Sequence, residues 1–378
     1  MLRILLKVSA IVCVAQSATC CPPKAEMGRN MKLRKIISVI SLTILVIFCG
    51  ACALTEKNEF IDIGMEALAA HDFDEALKAF ESAEQAGENQ RLLYRGIGIA
   101  KMGKLQYEEA LAAFEKSLSF SNGIPNDIDY DINYYMAAAF YITGQTAEAI
   151  AVYDAILTLR EKEAEAYFLR GAIKVEQGQM EEAGEDFDKA LLLGTGNSDR
   201  LIDIYQILSA SGYQAVGEVY LRDAMDEDAK NLDNFEKGRI SFYLSDYENA
   251  RMYLEKARDI SYEAVLFLGK TYEVLGDYNY AVSVYSAYLD AGNQSPQIYN
   301  QLGICRLNMN DYDGALKAFR DGMAIENNDI VQTLRFNEIV AYEFLGDFKH
   351  AAVLLDGYLR LYPDDRIAQR ENYFLRTR

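Results

Sequence analysis

A single phrase recurs along this chain, and its spacing limits the possible fold more than any other feature. It reads VLGDYNYAVSVYSAYL at 274–289 and FLGDFKHAAVLLDGYL at 344–359, with weaker copies at 69–84, 243–258 and 308–323. Nine copies align on a small residue after a turn, and these residues are Ala76, Ala110, Ala149, Ala183, Gly217, Ala250, Ala281, Ala315 and Ala351. The intervals of 34, 39, 34, 34, 33, 31, 34 and 36 residues each hold two helices of about a dozen residues with their turns. Because one such pair cannot bury its own apolar face, the sequence predicts nine stacked helical pairs.

The turn inside the phrase has a distinct chemistry. Gly276 and Gly346 can take the left-handed conformation that ends a first helix without a Cβ penalty. Asp277 and Asp347 follow them, where a carboxylate can accept hydrogen bonds from the exposed amides of the second helix. The alanine three to four residues later falls where the two helices pack closely. The pattern therefore predicts a helix C-cap followed at once by an N-cap.

Two further sets of residues keep the same register. A bulky apolar residue lies four positions after each small residue, and the set is Phe80, Phe114, Tyr153, Phe187, Leu221, Leu254, Tyr285, Phe319 and Leu355. A small residue of the first helix lies twelve positions before, and this set is Gly64, Gly98, Ala137, Gly171, Gly238, Gly269 and Gly303. The fifth copy is degenerate, because Tyr205 and Gly217 occupy its two small positions.

These positions together resemble the tetratricopeptide repeat family. The leucine-glycine-x-x-tyrosine pattern of that family appears as Leu268-Gly269 with Tyr272, and Pro363 falls at its closing proline. The resemblance covers residues 57–363. It implies an all-α fold, namely a right-handed α-solenoid of about nine helix-turn-helix repeats.

The segments around and between the repeats also carry predictions. Residues 364–378 are polar enough to form a capping helix after the last repeat. The longest interval contains a loop at 121–131 with glycine and proline, and the shortest leaves only residues 260–264 between helices. Neither irregularity has the composition of a flexible domain linker.

In this family the concave groove is lined mainly by certain positions of the first helices. Carried onto this chain, those positions are Tyr134, Tyr141, Phe168, Phe235, Arg239, Phe242, Tyr243, Lys270, Phe336 and Phe344. An aromatic groove with few cations suits an amphipathic or extended peptide. The resemblance thus implies a protein-binding or peptide-binding scaffold whose partner is unknown. Two alternatives remain open, since the rings could be core residues packed between repeats, or could serve a receptor for cell-wall material or carbohydrate.

The N-terminal segment predicts export. Lys32, Arg34 and Lys35 precede an apolar run over 36–48, which is the layout of a signal peptide. The run is too short for a comfortable transmembrane helix. We therefore assign residues 31–51 as a signal peptide, with an uncleaved anchor or a plain secretory signal without lipid attachment as the alternatives.

The end of that leader resembles a bacterial lipobox. Gly50 and Ala51 are the small residues that such a site requires, and the resemblance implies lipidation of Cys52. The resemblance also implies that residues 52–56 form a short tether and that the protein is placed on the outer face of a bacterial membrane. Residues 1–30 look like a second signal-like segment and are interpreted as an upstream extension.

Charge and motif chemistry argue against other functions. The formal net charge of −19 repels phosphate backbones, so nucleic acid is not a predicted partner. A near match to a phosphate-binding loop at 98–105 lacks its serine or threonine, because Leu105 stands there. His71 and His350 have no partner at catalytic or metal-binding spacing, and Cys305 is alone in the body of the chain. The sequence therefore predicts no catalytic residue, no metal site and no cofactor.

Overall fold

The computed structural model describes residues 58–194, 197–227, 230–326 and 328–377. Those residues form nineteen α-helices and no strand. In chain order they are α1 (Glu59–Ala69), α2 (Phe73–Ala86), α3 (Gln90–Gly103), α4 (Tyr107–Ser119), α5 (Asp127–Ile142), α6 (Thr146–Leu159), α7 (Ala164–Glu176), α8 (Met180–Leu193), α9 (Asn197–Ala210), α10 (Gln214–Glu227), α11 (Asn234–Tyr243), α12 (Tyr247–Ala257), α13 (Tyr262–Val274), α14 (Tyr278–Asp290), α15 (Pro296–Asn308), α16 (Tyr312–Met323), α17 (Val331–Leu345), α18 (Phe348–Leu361) and α19 (Arg366–Leu375). The predicted all-α fold of nine helical pairs is confirmed.

The helices fall into two compact units. The first runs to Thr195 and contains the four pairs α1–α8, and the second starts at Gly196 and contains the five pairs α9–α18 with α19. The boundary differs from both irregular stretches of the sequence, since the loop at 121–131 and the link at 260–264 lie inside units. Within each unit, successive helices pack in chain order, as the repeat pattern predicts.

The turn chemistry is confirmed in atomic detail. Gly276 and Gly346 both have φ of +81°. The side chain of Asp277 accepts a hydrogen bond from the amide of Tyr280 at 3.1 Å, and Asp347 accepts one from His350 at 3.2 Å. Among the described residues, four turns place a residue other than glycine at the left-handed position, and these residues are His71, Leu105, Ser245 and Asn310. The left-handed turn conformation is therefore retained in repeats that have another residue in place of the glycine.

The packing inside a pair depends on the glycine of its first helix. Ala281 and Tyr285 are both fully buried. A Cβ atom added to Gly269 would lie 2.1 Å from Cζ of Tyr285. The same close approach joins Gly64 to Phe80, Gly98 to Phe114, Gly171 to Phe187, Gly238 to Leu254 and Gly303 to Phe319. The first-helix glycine and the bulky residue sixteen positions later therefore form one contact.

In the degenerate fifth pair, the large residue of the helix contact lies on the first helix and the glycine lies on the second. Tyr205 of α9 stands where six other first helices have glycine, and Gly217 of α10 stands where other second helices have alanine. A Cβ on Gly217 would lie 3.1 Å from the Cα of Tyr205. The smaller residue on the second helix therefore compensates for the larger residue on the first.

Helix α19 lies where the capping helix was predicted. Asp365 starts it by accepting hydrogen bonds from the amides of Ile367 at 3.0 Å and Ala368 at 3.1 Å. Ala368 and Leu375 are buried in a cluster that includes Leu355 of α18. The inner face of α19 thus completes the core of the last pair.

The predicted signal peptide at 31–51 lies outside the described residues. The segments 1–30 and 52–56, with Cys52, also lie outside them. In the ranges that are described, none of the helices combines the length and the apolar character needed to cross a membrane.

Candidate partner-binding face

Three of the predicted groove residues belong to the first unit, and they have different surroundings. Tyr134 is half-buried on α5, with its ring 6.0 Å from that of Tyr153. Tyr141 donates its hydroxyl to Glu176 of α7 at 2.6 Å. Phe168 is only 1% exposed, and its ring packs 6.1 Å from Phe187. Phe168 is therefore a core residue, because its ring fills the space inside its own helical pair and offers no surface to a partner.

The four predicted residues of α11 form one cluster with a ring from α13. Phe242 and Tyr243 pack edge-to-face, with centroids 5.9 Å apart. Phe267 lies 5.4 Å from Phe242, 6.0 Å from Tyr243 and 6.3 Å from Phe235. All four rings are half-buried. We call Phe235, Arg239, Phe242, Tyr243 and Phe267 the aromatic face.

Arg239 is the charged centre of the aromatic face. Its guanidinium lies over the ring of Phe235 at 5.1 Å and over that of Phe267 at 5.6 Å. It also donates to Asp199 of α9 at 2.6 Å. The Arg239 side chain is 17% exposed while that of Asp199 is 71% exposed. The ion pair and the two rings hold the guanidinium in one orientation, with an edge still open to water.

Tyr243 connects the aromatic face to α9 through two contacts. Its hydroxyl accepts a hydrogen bond from Gln206 at 2.8 Å, and its ring lies 5.6 Å from Tyr205. Burial raises the pKa of Tyr243, although the hydrogen bond from Gln206 and the charge of Arg239 act in the opposite direction. The phenol is therefore neutral at physiological pH. Three successive first helices, α9, α11 and α13, thus contribute side chains to one surface.

The other predicted residues of the second unit lie outside this cluster. Lys270 is half-buried on α13, near Glu273. Phe336 packs 5.7 Å from Tyr358 beside the core of the last pair. Phe344 is exposed and stacks on Tyr312 at 6.2 Å. The ten predicted residues are thus spread over several separate places, and four of them meet.

Phe267 is the member of the aromatic face that the sequence did not reveal. Phe235 lies three residues before Gly238, and the equivalent residue before Gly269 is Leu266. The groove positions of the family, carried onto α13, therefore do not include Phe267. A search for any aromatic residue in adjacent first helices, without a fixed position, would have found it.

The remaining candidate motifs have structural surroundings. Gly98 and Gly103 of the near phosphate-binding loop lie in helix α3, against the rings of Phe114 and Phe73. Burial raises the pKa of the Cys305 thiol to about 12, so it stays protonated. Within the described ranges, the His, Cys, Asp and Glu side chains include no group of three that could hold a metal ion.

Comparison with known proteins identifies the repeat. Residues 95–164 and 134–199 match the tetratricopeptide repeat family. These segments are therefore tetratricopeptide repeats, and the flanking helical pairs share their turns and glycine contacts. A TPR repeat-containing protein from Methanocaldococcus jannaschii is 24% identical over 219 residues, which cover 54% of this chain and 37% of that protein. The chain thus spans little more than a third of the length of this relative.

Several solved structures are similar to this chain. A tetratricopeptide repeat protein from Parabacteroides merdae is 15% identical with a TM-score of 0.40, and the match covers 75% of this chain and 97% of that one. MamA from Desulfovibrio magneticus is 19% identical with a TM-score of 0.38, covering 45% and 94%. YrrB, described as a TPR protein with an unusual peptide-binding site, is 20% identical with a TM-score of 0.35, covering 52% and 99%.

Proposed function

We propose that this protein is a non-catalytic scaffold that binds a protein or peptide partner on the aromatic face. Tetratricopeptide repeats are protein-interaction modules, and one similar structure, YrrB, is described as having a peptide-binding site. The observation that carries the proposal is the cluster of four half-buried rings, two of which, Phe235 and Phe267, lie against the Arg239 guanidinium. Tyrosine and arginine are among the residue types that contribute most to binding at protein interfaces, and phenylalanine is enriched at interface cores.

The aromatic face differs from the core in its exposure. Leu268 and Tyr285, which belong to the core of the same unit, are fully buried. The rings of the aromatic face are half-buried, so each combines support from its neighbours with an accessible surface. Rings held in this way lose little conformational entropy when a partner binds. The exposed carboxylate of Asp199 beside Arg239 adds an acceptor for a backbone amide of the partner.

The deciding experiment compares binding with stability. Peptides selected from a displayed random library against the immobilised protein are measured for affinity to Arg239→Ala and Phe235→Leu. We expect each substitution to weaken binding at least about tenfold, the equivalent of about 1.4 kcal/mol, with little change in melting temperature.

Arg251→Ala is the matched control, because Arg251 forms an exposed ion pair with Glu248 on α12. Peptides that bind the Arg239→Ala and control variants equally would show that the binding surface lies elsewhere. If purified cell-wall fragments bind while no peptide does, a carbohydrate receptor replaces the proposal.

We further propose that the scaffold is held at the outer face of a bacterial membrane by a lipid on Cys52. The support is the basic and apolar leader and the Gly50-Ala51 pair before this cysteine. A diacyl anchor retains a protein through its many buried methylene groups. Labelled fatty acid should enter the wild type and Cys49→Ser but not Cys52→Ser. Equal labelling of Cys52→Ser would refute the anchor.

A further inference from the structure

Helix α19 has an unusual outer face for the cap of a repeat array. Ile367 is 66% exposed and Tyr373 is 75% exposed, and Phe374 is exposed beside them. Helical positions 367, 370 and 374 share one side of the helix. Capping repeats normally present a polar outer surface, because no further repeat covers them. The outer face of α19 is instead apolar at several positions.

The charge of this helix is also the reverse of that of the chain. Three exposed arginines, Arg366, Arg370 and Arg376, accompany the apolar residues, and Glu371 is the one acid within α19. The whole chain has a formal net charge of −19. The arginines are therefore placed where an acidic surface would be attracted.

Helix α1 has the complementary outer face. Phe60 and Ile63 are exposed large hydrophobic residues. Asp62 and Glu66 are exposed on the same helix, which contains no basic residue. Its inner face, with Ile61 and Gly64, is buried. An acidic, partly apolar helix face is the counterpart of the basic, partly apolar face of α19.

We propose that copies of this protein associate head to tail, with the outer face of α19 in one copy docked on the outer face of α1 in the next. Ile367 and Phe374 then bury apolar surface against Phe60 and Ile63 of the second copy. Arg370 pairs with the acidic residues of α1. Because the two faces differ, the contact is heterologous, and each copy uses one face of each kind.

A second copy fits these faces better than a lipid surface does. An anionic bilayer would attract the three arginines through its headgroups alone, whereas α1 of a second copy offers acidic side chains and the exposed Phe60 and Ile63 on one helix. One helix face on each side is small compared with the total of about 1,200 Å² that stable interfaces bury. The association should therefore be weak, dependent on concentration and reduced by salt.

Analytical ultracentrifugation of the full chain tests the proposal with paired charge reversals. Arg370→Glu and Asp62→Arg should each weaken self-association about tenfold or more, while a mixture of the two variants should associate through the restored pair. Arg222→Glu is the control, since Arg222 is exposed on α10 in a pair with Glu218. Melting curves establish that each variant is folded.

Three results would overturn the proposal. A protein that stays monomeric at all accessible concentrations does not form the contact. Self-association that neither charge reversal alters uses another surface. Binding to vesicles of anionic phospholipid that Arg370→Glu abolishes, in a protein that does not self-associate, would assign this face to the membrane instead.

Discussion

Gly269→Ala tests the central packing contact of the repeat. The added Cβ would lie 2.1 Å from Cζ and 2.4 Å from the hydroxyl oxygen of Tyr285. That ring is fully buried, and its hydroxyl donates to Glu273 at 2.6 Å. Neither the ring nor the hydroxyl can move aside without breaking other contacts.

The change in the free energy of unfolding is the sum of three contributions. Two of them destabilise the folded state and one stabilises it. Overpacking of a filled site costs about 1–3 kcal/mol. Loss of the hydrogen bond between Tyr285 and the Glu273 carboxylate costs about 1.5 kcal/mol. The better helix propensity of alanine returns about 1 kcal/mol. We therefore expect Gly269→Ala to lower the free energy of unfolding by about 1.5–3.5 kcal/mol.

Hydrogen exchange is the appropriate measurement, because a chain with two compact units need not unfold in one step. Protection should fall most in α13 and α14, since a repeat array is stabilised by neighbouring contacts. Gly357→Ala is the control, because Gly357 lies inside α18 with no atom within 4 Å of an added Cβ. Gly357→Ala should increase the free energy of unfolding by about 0.5–1 kcal/mol. Equal effects of the two substitutions would refute the packing argument.

Three other substitutions have expected outcomes. Leu105→Gly should raise the melting temperature, with a gain of about 1 kcal/mol, because Leu105 has φ of +60° and is 71% exposed; a lower melting temperature would contradict this reason. Burial, followed by the charge of Glu371, raises the pKa of Glu343 to about 7. The folded state therefore binds this proton more tightly than the unfolded state, and stability falls as pH rises from about 4.5 through 7. Glu343→Gln should remove that part of the pH dependence in urea titrations at pH 5 and pH 8, and an unchanged difference would exclude the assignment. Glu88 accepts hydrogen bonds from the first amides of α1 at 3.0 and 2.9 Å, so Glu88→Ala should cost about 1–2 kcal/mol and increase hydrogen exchange in α1; unaltered exchange there would disprove this capping role.

Most of the fold could be predicted from the sequence because its determinants are local. The turn of Gly276 and Asp277 and the burial of Ala281 and Tyr285 depend on residues within one repeat, and all appear in the structure as predicted. Recurrence of that pattern also identified the degenerate fifth pair. A helical period and its capping residues are set by short-range sterics and hydrogen bonds, which a sequence shows directly.

The candidate site and the division of the chain depended on the tertiary structure. Sequence position alone placed Phe168 in a groove, whereas its ring fills the core, and it missed Phe267. The ion pair of Arg239 joins it to Asp199, forty positions away. The spacing of the repeats gave no sign of the boundary between the two compact units at Gly196. The sequence by itself determined the helical pairs, because each forms from interactions within about 34 residues. Only the tertiary structure decided which side chains of different pairs meet, because that depends on how one pair stacks on the next.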